Sequence, residues 1–200
     1  SGEGGTICRL PEYPDSSNLQ KSDVDIKLSS DGKAVVKMNQ MSYCRQYEDV
    51  SPLMTVDDNK KRAYIENTVR LSSNDVDSIG LFENKDAYSH PSISLRMKGE
   101  SHSYANVVGN RLFVPVNPLL KSFSSQELVN RRSNIYIDYG YLDEEDITLT
   151  LPDGYTVESM PQPLNIQMPF GSFSSSIKSE GNKLLICQRL LMRKGSYPQS

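Results

Sequence analysis

The sequence predicts a mostly β protein: a β-sandwich, immunoglobulin-like or a larger two-sheet sandwich, with one or two short helices. Three observations lead there. Short apolar–polar alternations recur along the chain, as at Val24, Ile26 and Leu28, and a period of two marks a half-buried strand. Turn residues separate these runs, as at Ser30-Asp31-Gly32-Lys33 and Pro152-Asp153-Gly154. Helical signals are confined to two short stretches, around residues 57–70 and 124–127.

Taken in order, residues 1–22 are rich in Gly, Pro, Ser and Asn and read as a linker or extended lead-in. Residues 24–43 read as a hairpin turned at Asp31-Gly32. Over 57–70 the period changes. Asp57 or Asp58 is placed to cap a helix, Ile65 and Val69 share a face, and Arg62 and Glu66 have i,i+4 spacing. Ile93, Leu95 and Met97 alternate as a strand, and Asn110 to Val116 forms another, stopped by Pro115 and Pro118. Ser124-Ser125-Gln126-Glu127 fits a capping box at the start of a short helix.

The last third is the most regular. Ile135, Ile137, Tyr139 and Tyr141 fall on one face of a strand. Leu142 to Asp146 reads as an acidic, solvated turn, and Ile147, Leu149 and Leu151 as the return strand. In Pro152-Asp153-Gly154, proline fixes φ, aspartate bonds its own backbone, and glycine accepts positive φ. Tyr155 and Val157 then predict a second strand, ended by Pro161 and Pro163, which have no N–H to give a ladder. Phe173, Ser175 and Ile177 begin a hairpin turned at Glu180-Gly181-Asn182. Leu184 to Met192 starts apolar on both faces, as a central strand does. The total is roughly eight to twelve short strands. They divide into a lead-in (1–22), an N-terminal β-rich region with a short helix (23–130) and a C-terminal β-sandwich region (131–200), or one continuous domain over 23–200. This register buries Leu149 and leaves Glu145 in water. Leu149→Asp is then expected to unfold the domain and Glu145→Ala to register barely.

Catalytic chemistry finds little to build on. The three cysteines, Cys8, Cys44 and Cys187, are far apart with no Cys-x-x-Cys spacing, and an odd number does not close a disulfide framework. Only His90 and His102 are available as imidazole bases. Cys187 sits in the most apolar strand and reads as core. Cys8 lies in the lead-in. Cys44 is the one candidate nucleophile, and a small buried thiol is its plainer reading. No Gly-x-Ser-x-Gly pattern presents a serine. Two histidines without cysteine pairs do not make a zinc site. Asp75 to Gly80 resembles the start of a calcium loop, but Ile79 stands where an oxygen ligand belongs and Asp86 replaces the bidentate glutamate. No catalytic residue, metal or cofactor is therefore assigned. For glycan stacking there is no Trp. Tyr139 and Tyr141 read as core, which leaves Phe170 and Phe173 as the aromatics best placed for exposure. A net charge of −3 offers no basic footprint for nucleic acid or an anionic membrane. No apolar run reaches the roughly 18 residues of a membrane span.

One resemblance goes further. Residues 147–197 contain Leu151-Pro152-Asp153-Gly154-Tyr155, Val157-Glu158 before Pro161, Phe170-Gly171 and Gly195-Ser196-Tyr197-Pro198. This stretch resembles the C-terminal domain of unknown function (DUF3858-like) of Bacteroidetes multidomain proteins that carry a transglutaminase-like, cysteine-protease-fold domain. A fainter likeness covers residues 24–70. The motifs are turns, strand ends and packing residues. The resemblance implies a non-catalytic accessory module, located outside the cytoplasm, whose partner is the adjacent transglutaminase-like domain of the same polypeptide. Ser1-Gly2 then reads as a cloning remnant and the chain as a fragment. The alternative is a stand-alone binding module for glycan, peptide or cell-envelope polymer.

Overall fold

The computed structural model describes residues 13–68, 74–84, 90–116 and 134–198. Its strands are β1 (Leu19–Leu28), β2 (Ala34–Tyr43), β3 (Asn74–Asn84), β4 (Ser92–Ser101), β5 (Asn106–Val108), β6 (Arg111–Phe113), β7 (Ile135–Ile137), β8 (Tyr141–Thr150), β9 (Leu164–Met168), β10 (Gly171–Glu180), β11 (Lys183–Met192) and β12 (Gly195–Tyr197). Two helices, α1 (Arg45–Val50) and α2 (Asp58–Thr68), follow β2. The mostly β, sandwich-type architecture is the one expected. Its main layer is a single eight-stranded sheet, ordered β3-β4-β2-β1-β8-β11-β10-β9, with β5–β6 and β7–β12 as separate two-stranded ladders.

The sheet is antiparallel within each half. The halves meet where β1 lies parallel to β8, from Leu19 opposite Leu142 to Lys27 opposite Thr150. The β1–β2 hairpin forms as its sequence dictates. Asp31 Oδ1 accepts from the Ser29 hydroxyl at 2.7 Å and from the Lys33 amide at 3.2 Å, and Gly32 turns the chain at φ +83°.

One face of the sheet is apolar. Ile26 lies between Val36 and Leu149, and Leu149 between Ile26 and Leu184; Ile26 and Leu149 are fully buried. Val50 from α1, Leu53 from the 3-10 turn after it and Ile65 from α2 join this core over one half, and Tyr104, Ala105, Leu112, Val114, Tyr155 and Val157 join it over the other. The opposite face of β1 carries exposed Asp23, Asp25 and Lys27, the apolar-in, polar-out alternation of a sheet solvated on one side. Helix α2 starts as predicted: Asp57 Oδ1 accepts from the Lys60 amide at 3.0 Å. Arg62 turns to the Val76 carbonyl, tying α2 to β3.

Several local expectations are corrected. The run Asp143-Glu144-Glu145-Asp146 is the middle of β8, a central strand, and not a turn. It tolerates strand geometry because its charges alternate between faces and Asp143, Glu144 and Asp146 find partners. Arg189 Nε lies 3.3 Å from Glu144 and Lys21 Nζ 3.6 Å from Asp146 on the open face, while Asp143 accepts from the Gln46 amide at 2.8 Å. Glu145 points into the buried face. Tyr139 is not in line with Ile135 and Ile137. The chain bends at 138–139 between β7 and β8, and β7 pairs with β12.

The turn at Pro152-Asp153-Gly154 is present, with Gly154 at φ +79° and the Tyr155 amide donating to Pro152 O at 3.2 Å. No ladder follows it. Residues 155–163 run without strand pairing, and Pro161 and Pro163 precede β9 where they were expected to end a strand. Tyr155 and Val157 nonetheless pack on the core, so their alternation recorded packing alone. Cys187, expected in the core, is exposed. It falls on the open face of β11, out of phase with buried Ile186 and Gln188. The expected capping box at 124–127 and Pro118, Val69, Asp86 and Cys8 lie outside the described residues.

Candidate functional site

The cysteines are poorly placed for nucleophilic chemistry. Cys44 follows β2 and is the residue before α1, at φ +53°, with its amide donating to Pro91 O at 2.9 Å. Its thiol is buried, and burial alone pushes its pKa up. A nucleophilic thiol needs the opposite shift, and the six-residue α1 that follows Cys44 does not outweigh burial here. Cys187 is raised as well, by desolvation first and then by a hydrogen bond to Asp146. The histidines serve other contacts. His102 Nε2 lies 2.6 Å from Asp75 Oδ2, and the His90 ring centroid is 6.0 Å from that of Tyr13.

Asp75 to Gly80 lies within strand β3, so the calcium-loop geometry is not formed. Among the described residues no group of His, Cys, Asp and Glu is arranged to hold a metal, and no helix is long and apolar enough to cross a membrane. Tyr139 and Tyr141 are half-buried, with ring centroids 6.3 Å apart, and the Arg45 guanidinium sits 5.3 Å from the Tyr139 ring centre. Phe170 is 39% exposed and meets Tyr197 edge-on at 5.9 Å, while Phe173 is half-buried.

A cleft of about 1540 Å³ opens over the apolar face of the sheet. One wall is the segment 103–116 with its β5–β6 hairpin, the other is 154–161, and Leu151, Ile177 and Leu184 line it from the sheet side. The walls stand where they do for identifiable reasons. Ala105 N donates to Gly32 O at 2.9 Å, so the β1–β2 turn props the first wall, and the buried Tyr104 hydroxyl donates to Pro115 O at 3.0 Å. Burial pushes the Tyr104 phenol well up, so it stays a neutral donor. Across the cleft, Arg111 Nη2 meets Glu158 Oε1 at 3.0 Å, both side chains exposed. The lining mixes aliphatic and aromatic side chains, such as Leu112, Tyr155 and Val157, with polar ones, such as Asn106, Arg111 and Glu158, a combination found in binding pockets.

A buried polar row borders the cleft. Gln40, Ser22, Glu145 and Gln188 lie in register across β2, β1, β8 and β11, each at most 6% exposed. Gln188 Nε2 donates to the carbonyl of Val116, a cleft residue, at 3.2 Å. Among the described residues, Gln188 Oε1 and Glu145 Oε2 have no hydrogen-bond partner. Desolvation, with a smaller contribution from the Asp143 charge, pushes the Glu145 pKa up to about 7. Sequence reasoning missed this row because a charged run reads as a turn. The signal was its phase, since Glu145 is in step with Ile147 and Leu149, and Gln188 with Leu184 and Ile186.

Residues 110–200 match the family model DUF3858, a domain of unknown function with a solved structure. Those residues carry a DUF3858 domain. No curated protein and no solved structure matches the chain. The DUF3858 domain supplies β8, β11, β10 and β9, the sheet side of the cleft, its second wall and most of the first. Tyr104 and Ala105 precede the domain, so the cleft draws on both halves of the chain. Two of the resembling motifs have physical roles in this domain. Gly154 takes the left-handed turn, and a Cβ on Gly171 would run into the Leu191 carbonyl where β10 meets β11.

Proposed function

We propose that this chain is a non-catalytic β-sandwich module that supports, or recruits substrate to, a catalytic domain outside these residues. That domain is transglutaminase-like or cysteine-protease-like, in a Bacteroidetes protein of the periplasm or cell surface. The DUF3858 domain over 110–200 supports this reading through the family resemblance set out above. The observation that carries it is the pairing of a large cleft with two described thiols, Cys44 and Cys187, that desolvation holds toward the neutral form. Such a surface suits a binding role. The test is an assay of this chain alone on glutamine-containing peptides and peptide amides. No turnover is expected, and turnover abolished by Cys44→Ala would overturn the reading.

The cleft also favours a second reading, a stand-alone binding module for peptide, glycan or envelope polymer. Binding of such a ligand by the isolated chain, lost on Val157→Arg in the cleft lining, would favour it over a supporting role.

A further inference from the structure

The two ends of the eight-stranded sheet differ. β3 carries Asp75, Asp77 and Glu83, and its ladder register shifts between Val76 and Ser78. Charge and a bulge are common ways of blunting a sheet edge. β9, at the other end, has neither. Its five residues, Leu164-Asn165-Ile166-Gln167-Met168, are uncharged and all exposed. Leu164, Ile166 and Met168 share the face of Ser175, Phe173 and Gly171, and are 47%, 39% and 49% exposed. Asn165 and Gln167 alternate onto the open polar face, where the Gln167 amide donates to Asn165 Oδ1 at 3.0 Å.

We propose that β9 pairs antiparallel with β9 of a second copy of this chain, about a two-fold axis through Ile166. The order of side chains makes the strand complementary to itself. Pairing about Ile166 sets Leu164 opposite the second copy's Met168, Ile166 opposite its counterpart and Asn165 opposite the second copy's Gln167. Apolar groups then meet apolar groups on one face and amides meet amides on the other. No charge lies on the strand, so the two-fold brings no like-charge pair together, which is the usual obstacle to a self-paired edge. Pro163 and Pro169 flank the strand and confine the new ladder to it. A slip by one residue would set the apolar side chains against the amide face, which the pattern excludes, and a slip by two would leave fewer residues paired between the flanking prolines.

Sedimentation equilibrium of the full chain over a wide concentration range tests this. A reversible dimer is expected. Asn165→Lys with Gln167→Lys sets lysine against lysine at two places and weakens the dimer by roughly tenfold or more. Asn165→Lys with Gln167→Glu sets lysine against glutamate and retains it. Both pairs of changes lie on the exposed face, and unchanged thermal melts confirm folding. A chain that stays monomeric throughout, or a dimer indifferent to the double-lysine change, overturns the proposal. Loss of the dimer in both variants overturns the antiparallel register.

Discussion

Glu145 and Gln188 stand directly opposite each other on β8 and β11, both buried, and each has a side-chain oxygen that accepts no hydrogen bond from the described residues. A buried carboxyl with an unsatisfied oxygen is less costly protonated than charged, and desolvation, with a smaller contribution from the Asp143 charge, raises the Glu145 pKa to about 7. The folded state therefore binds this proton more tightly than the unfolded chain does. Stability on this account is full below the ordinary glutamate pKa of 4.5, declines as pH rises toward about 7, and is level above that. Glu145→Gln should remove the decline, leaving the variant more stable than the parent at pH 8 by on the order of 3 kcal/mol and nearly equal at pH 4.5. Urea melts at the two pH values read this directly. A parent whose stability is flat over this range would refute it.

Leu149 is fully buried between Ile26 and Leu184. Leu149→Ala should cost about 2–5 kcal/mol, from lost transfer energy and the cavity left behind. Leu149→Asp should abolish the cooperative thermal transition, because it buries an unpaired charge.

Gly32 turns the β1–β2 hairpin at φ +83°, and a Cβ there would sit 2.5 Å from Ala105 O. Gly32→Ala should destabilise the fold by roughly 1–3 kcal/mol, through backbone strain and the clash with the cleft wall. Gly109, at φ +61° with nothing within 4 Å of an added Cβ, offers the comparison. Gly109→Ala carries the strain alone and should cost less in the same melt.

Asp57 caps α2 through the Lys60 amide, and that bond lowers its pKa. Asp57→Ala should lower the midpoint of thermal unfolding, and Asp57→Asn, which keeps an acceptor for the Lys60 amide, should retain most of the cap. The Arg111–Glu158 pair is exposed on both sides, so a double-mutant cycle should return a coupling below about 1 kcal/mol that fades with added salt.

The hairpins at 24–43 and 173–192 were legible because period two, turn glycines and strand length agreed. The α2 cap was legible because Asp57 precedes a change of period. What misled were segments whose fate depends on distant neighbours. The Asp143–Asp146 run looks solvated until Arg189, Lys21 and Gln46 are placed beside it, and none of these is near in sequence. Tyr155 and Val157 carry a strand's alternation, yet no ladder partner reaches them, and composition does not record that. The cleft was invisible for the same reason, since its walls come from 103–116 and 151–161 and meet only in three dimensions.

The parallel join of β1 to β8 bears on how the chain is made. Synthesis delivers β1 more than a hundred residues before its neighbour, and no local turn can close that gap. Until β8 emerges, the first hairpin waits with one side of its backbone unsatisfied, open to the same segment on a neighbouring nascent chain. The polar row helps here. Ser22 lies in the middle of the waiting strand and makes it a poorer match for an apolar edge than an unbroken apolar face would be. A residue that weakens the finished core thus guards the interval before it closes.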